Sequence, residues 1–207
     1  LTYDKILKID PKNETALQNA YRVAMMRGNN TEAEKRLKKI AQLNPKDETA
    51  LMQLGFSQLQ TKKYAEAEAT FKKVLALNPK SKDAFMALGW SAEEQKKPDQ
   101  AVAQYRKVLK VDPKDTEARR RIINVHQTAG QDDLVIAEYK EWVKADPKNV
   151  EAYASYVSFL VTKSKLIDAA SEAKKMLEAH PKNARAFEMN AMVMNRQSKF
   201  DDAVGYY

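Results

Sequence analysis

The sequence predicts an all-α chain, a stack of two-helix repeats in which no single repeat holds a core of its own. Three observations predict it. Prolines return at a fixed 34-residue spacing, good helix formers dominate, and apolar residues fall at helical intervals in the same place of each repeat.

The composition narrows the class. The 207 residues hold only 5 Gly and 7 Pro, too few turn residues for a sandwich or barrel. With 43% hydrophobic and 31% charged residues, the chain is too apolar and too patterned for a disordered tail. There is no Cys, which excludes disulfides, thiol catalysis and cysteine metal sites. Apolar runs such as residues 191–194 are far shorter than a bilayer, so no membrane insertion is expected. The net charge of +8 permits acidic partners without naming one. The chain starts at Leu1, not Met, and shows no signal peptide, which reads as a fragment of a longer protein. Cytoplasmic and bacterial periplasmic locations both fit.

The prolines set the elements in order. Pro11, Pro45, Pro79, Pro113, Pro147 and Pro181 stand 34 apart, each followed by Lys and then by Asn13, Asp47, Ser81, Asp115, Asn149 or Asn183. These small polar residues are N-cap types, whose side-chain oxygen accepts from a free backbone N–H of the first turn. Acids such as Glu14, Glu48 and Glu117 follow, favourable at the positive end of the helix dipole. A second boundary falls mid-repeat. Gly28 and Gly130 occupy the place where a left-handed residue closes a helix, and Lys62, Lys96, Ser164 and Ser198 stand there in the other repeats. Pro98, the one proline out of phase, suits the first position of a second helix. The chain therefore divides into a partial repeat at 1–13, complete repeats at 14–47, 48–81, 82–115, 116–149 and 150–183, and a partial repeat at 184–207, a single array.

The apolar columns agree. In the first helices one column runs Leu17, Leu51, Phe85, Arg119, Tyr153, Phe187, and another Tyr21, Gly55, Gly89, Ile123, Val157, Ala191. In the second helices Ala33, Ala67, Ala101, Val135, Ala169 and Ala203 let helices approach closely, followed by Leu37, Phe71, Tyr105, Tyr139, Ala173 and Tyr207. This combination resembles the tetratricopeptide repeat family over the whole chain. The resemblance implies a right-handed α-α superhelical solenoid of helix-turn-helix repeats, with the first helices lining a concave, protein-binding side. The fourth complete repeat departs from the pattern, with Arg119 for a large apolar residue, Val135 for Ala and a bulky Trp142.

Little here can do chemistry. The two histidines, His126 on a packed face and His180 in a turn, are far apart in sequence, and no phosphate loop or nucleophile elbow is present. The expectation is a non-enzyme without metal or cofactor. The candidate site is surface. On the first helices, one residue beyond the buried stripe, Met52, Phe56, Met86 and Trp90 place large apolar groups on two adjacent repeats, joined by Met25 and Leu59 on the next turn. They read as a groove for a peptide or helix of a partner protein; the alternative is that a broad apolar stripe takes them into the core. Arg22, Arg120, Arg121 and Asn124 add a polar part, since arginine suits carboxylate recognition. The expected ligand is thus a protein or peptide with an apolar segment and an acidic end. The dicarboxylate clamp of some family members needs Lys and Asn where Gln18, Arg22, Gln53 and Asp83 stand, and is not reproduced.

Three further readings stay open. The chain could be the recognition arm of a larger bacterial envelope, secretion or exopolysaccharide-export protein. Its open ends, 1–13 and 187–207, could self-associate. Nucleic-acid binding is disfavoured, because helical repeats that read RNA keep paired polar readers at fixed positions, and these positions vary from Met and Trp to Glu and Ser.

Overall fold

The computed structural model describes residues 2–197, which form twelve α-helices and no strand. In order they are α1 (Thr2–Ile9), α2 (Glu14–Met26), α3 (Asn30–Leu43), α4 (Glu48–Gln60), α5 (Tyr64–Leu77), α6 (Lys82–Glu94), α7 (Pro98–Val111), α8 (Thr116–Thr128), α9 (Asp132–Ala145), α10 (Val150–Thr162), α11 (Leu166–Ala179) and α12 (Ala184–Arg196). Even-numbered helices are the first helices of the repeats, odd-numbered ones the second. Ser198, Ala203 and Tyr207, and with them residues 198–207 of the last partial repeat, lie outside the described residues.

Each boundary has a local cause. The side chains of Asn13, Asp47, Ser81, Asp115 and Asn149 accept from the backbone N–H three residues on, at 2.9, 3.0, 3.4, 3.0 and 3.0 Å. Asn183 caps one residue earlier, accepting from the Arg185 N–H at 2.9 Å. At the far end of the first helices, Gly28, Lys62, Lys96, Gly130 and Ser164 all take positive φ, between 56° and 68°. The following N–H then reaches back to close the helix, as from Asn29 to the Ala24 carbonyl and from Lys97 to the Ala92 carbonyl, both at 2.9 Å. Pro98 opens α7, where its missing N–H costs nothing.

The chain divides into two compact units, one ending at Asp112 and one beginning at Pro113. In the first unit, Leu17, Leu37, Leu51, Leu54 and Val74 build one buried cluster, and Leu59, Ala67, Phe71, Ala87 and Leu88 another. Hairpin packing depends on matched volumes. A Cβ on Gly55 would overlap the Phe71 ring, and one on Gly89 the Tyr105 ring. Where the first-helix residue is larger, as at Tyr21 and Val157, the second-helix partner is smaller, Leu37 and Ala173. Between repeats, buried Glu34 accepts from Thr61 Oγ1 at 3.0 Å and Lys63 Nζ at 2.8 Å, and this hydrogen bond raises the Lys63 pKa.

The second unit has a core of Trp142, Tyr153, Tyr156, Val157, Leu160 and Met176. Tyr139 stacks on both Trp142 and Tyr156, with centroids 6.3 and 5.4 Å apart. Here Ile123, not a glycine, stands opposite a full-sized Tyr139. Burial, with Glu172 and Asp168 adding negative potential, pushes the Tyr156 phenol up to about 12.

Candidate functional site

The first unit brings the expected apolar residues onto neighbouring first helices, α4 and α6. Gly55 admits the Phe71 ring against the α4 backbone, and Phe56, the next residue, packs edge-on against that ring at 5.5 Å. Trp90 of α6 lies 6.5 Å from Phe56, tilted by 46°. An aromatic chain thus runs outward from the fully buried Phe71. Its outer members stay open: Phe56 is 37% and Trp90 42% exposed. Met52 and Met86 are half-buried, and Met25 is 39% exposed on α2.

Leu59 does not join this surface. It is buried with Ala67, Phe71, Ala87 and Leu88, because near the end of α4 its side chain turns under α5 and α6. Arg22 is exposed and lines a cleft of about 210 Å³ with Gln18, Tyr21, Thr49 and Gln53. Among the described residues it makes no ion pair.

The second unit separates the arginine run. Arg119 occupies the core column, 6% exposed, with Nη1 donating to Oε1 of buried Glu138 at 2.8 Å and Nε without a partner. Arg121 donates from Nε to Glu117 at 2.9 Å, an i,i+4 pair. Two of the three charges are therefore already compensated. Arg120 and Asn124 are exposed. Arg121 thus fits a surface ion pair better than a recognition site, and the cluster expected from sequence reduces to Arg120.

One feature of this unit escaped the sequence. A cleft of about 420 Å³ is floored by Tyr139 and Phe159 and rimmed by Gln127, Ser155, Ser158, Thr162 and an Asp132–Lys163 ion pair at 2.8 Å. Lys163 also sits 5.7 Å over the Phe159 ring. The polar rim residues alternate with core positions along α10, a weak signal in a helix otherwise rich in apolar residues.

His126 is buried, its Nδ1 2.8 Å from Gln131 Oε1, and His180 lies edge-on to Tyr153 at 6.1 Å. Among the described residues no group of His, Asp or Glu could hold a metal ion. None of the described helices is long and apolar enough to cross a membrane.

The tetratricopeptide repeat family model matches residues 24–91 and 92–157, well over half of the chain. The chain belongs to the tetratricopeptide repeat family. Curated proteins give no match. Among solved structures, this repeat protein is similar to MamA, at 25% identity and a TM-score of 0.60 over 70% of this chain and 85% of that one. It is also similar to YrrB, described as a repeat protein with an unusual peptide-binding site, at 19% identity and 0.53 over 91% and 97%. A third is a tetratricopeptide repeat protein from Parabacteroides merdae, at 16% identity and 0.60 over 93% and 77%. The last two likenesses show the fold alone. The family match places the chain among helical-repeat proteins whose general role is protein–protein interaction.

Proposed function

We propose that this chain is a non-catalytic interaction scaffold whose first-helix face takes a peptide or short helix of a partner protein, anchored on Phe56 and Trp90. One observation carries the reading. Two adjoining aromatic rings stay more than a third exposed on the helices that the family uses for binding, although the core beneath them is complete. Large aromatic anchors over a packed support are what concentrate affinity in an interface. Met52 and Met86 add adaptable apolar walls. Arg22, one helix away, supports an acidic group beside the apolar segment of the ligand.

Peptides selected from a random library on the immobilised chain test this. The expectation is an aromatic or leucine anchor in the selected sequences and at least tenfold weaker binding to Trp90→Ala, with helicity retained. Selected peptides that bind Trp90→Ala and Phe56→Ala as tightly as the unsubstituted chain would refute it.

A further inference from the structure

The positive charge of the first unit is gathered on one edge. The C-terminal part of α3 and its turn, residues 38–46, holds Lys38, Lys39 and Lys46 and no acid. The same part of α5, residues 72–80, holds Lys72, Lys73 and Lys80 and no acid. The acids of these helices, Glu32 and Glu34 in α3, Glu66 and Glu68 in α5, sit in the N-terminal halves. In α7, Arg106, Lys107 and Lys110 repeat the pattern, with Asp112 paired to Lys82 at 2.8 Å. Helix-dipole compensation does not account for it. It acts within the last turn, and the last turns of α3 and α5 contain no basic residue.

A second regularity shares this edge. Lys5 and Ile9, Lys39 and Leu43, Lys73 and Leu77, and Lys107 and Val111 are i,i+4 pairs, so each aliphatic side chain lies beside a lysine on one helix face. Ile9, Leu77 and Val111 are 88%, 41% and 38% exposed. The second unit lacks the pattern, with Glu141 and Ala145, then Lys175 and Ala179, at those places. Lys38 and Lys73 stand on opposite walls of a cleft of about 260 Å³ between α3 and α5, floored by Leu51 and Leu54. Glu66 in that cleft pairs with Lys38 at 3.4 Å; Lys73 makes no ion pair among the described residues.

We infer that this lysine–aliphatic edge of the first unit docks on the surface of an anionic membrane, without insertion. Each lysine near an anionic leaflet adds favourable electrostatic energy, and short aliphatic side chains between them enter the headgroup boundary. A protein partner fits less well, since lysine is depleted in protein interfaces and this edge offers no aromatic anchor. A nucleic acid fits less well for want of stacking aromatics.

Sedimentation with vesicles tests it, using phosphatidylcholine alone and phosphatidylcholine mixed with phosphatidylglycerol. The expected result is partition into the mixed vesicles only, weakened by added salt. The variant Lys46→Gln/Lys73→Gln/Lys80→Gln/Lys110→Gln, which removes exposed lysines, should reduce partition ~10-fold or more. Leu77→Ser should reduce it severalfold, both variants keeping the helical circular dichroism of the parent. Equal partition into neutral vesicles, no partition into either, or an unchanged quadruple variant overturns the proposal. A Leu77→Ser chain that binds as before also overturns it, because a purely electrostatic edge would accept any polyanion; tight RNA binding without vesicle binding would identify that alternative.

Discussion

Gly89→Ala isolates the packing rule of the hairpins. Alanine is the better helix former by about 1 kcal/mol, so on helix propensity alone the change should stabilise α6. The structure predicts the opposite sign. The new Cβ would overlap the ring of Tyr105, which is fully buried and tied through its hydroxyl to Glu93. That contact is with the body of a ring seated in the core, so relief requires α6 and α7 to move apart. Because the overlap is with the body of a buried ring, the cost falls in the upper part of the range for overpacking, about 2–3 kcal/mol, leaving a net loss of about 1–2 kcal/mol after the propensity gain. Urea unfolding followed by circular dichroism reads it directly. The double variant Gly89→Ala/Tyr105→Leu imitates Tyr21 and Leu37, where a larger first-helix residue meets a smaller partner. The two substitutions should therefore couple favourably, costing less together than the sum of their separate effects. A Gly89→Ala chain as stable as the parent or more so, or strictly additive losses, would refute volume matching as the reason for glycine here.

Other expectations follow from single contacts. Lys62→Gly and Lys96→Gly should each stabilise the chain by about 0.5–1 kcal/mol in urea, because their φ values of 59° and 56° strain any side chain, while Gly28→Ala should destabilise it similarly. Arg119→Ala should cost about 3–5 kcal/mol by deleting the guanidinium beside buried Glu138, and Arg119→Leu combined with Glu138→Leu should regain much of that loss. At high pH, Tyr156 gives a signed prediction. The folded chain holds the phenol proton more tightly than the unfolded chain, where the value is about 10. Its contribution is therefore complete below pH 10 and is lost as pH rises through about 12, on the order of 2–3 kcal/mol. Tyr156→Phe should flatten that part of the stability profile.

The periodic features were the legible ones. Caps and left-handed closures are set by residues adjacent in sequence, so Asn13 through Asn149 cap as expected. Lys62, Lys96 and Ser164 adopt the glycine conformation because their place in the hairpin requires it. Side-chain direction at helix ends was less legible. Leu59 reads as surface on an ideal helical wheel, yet it turns under the following hairpin. Arg119 was placed in the core column, but its partner Glu138 resembles any exposed glutamate until α9 packs. The division at Asp112 left no trace, since the 34-residue phase runs through Pro113 unbroken. The lysine–aliphatic edge is visible in the sequence as a period, but one lysine per turn has no meaning until its neighbours are known.

Tryptophan emission reads occupancy of the Phe56–Trp90 surface itself. The chain has two tryptophans, Trp90 at 42% exposure and Trp142 at 1%. In a Trp142→Phe variant only Trp90 reports, and it reports from the middle of the proposed site. Titration with a selected peptide should shift its emission to the blue and reduce quenching by acrylamide, with the same midpoint as binding measured calorimetrically. Saturable binding that leaves Trp90 emission and quenching unchanged would contradict the account.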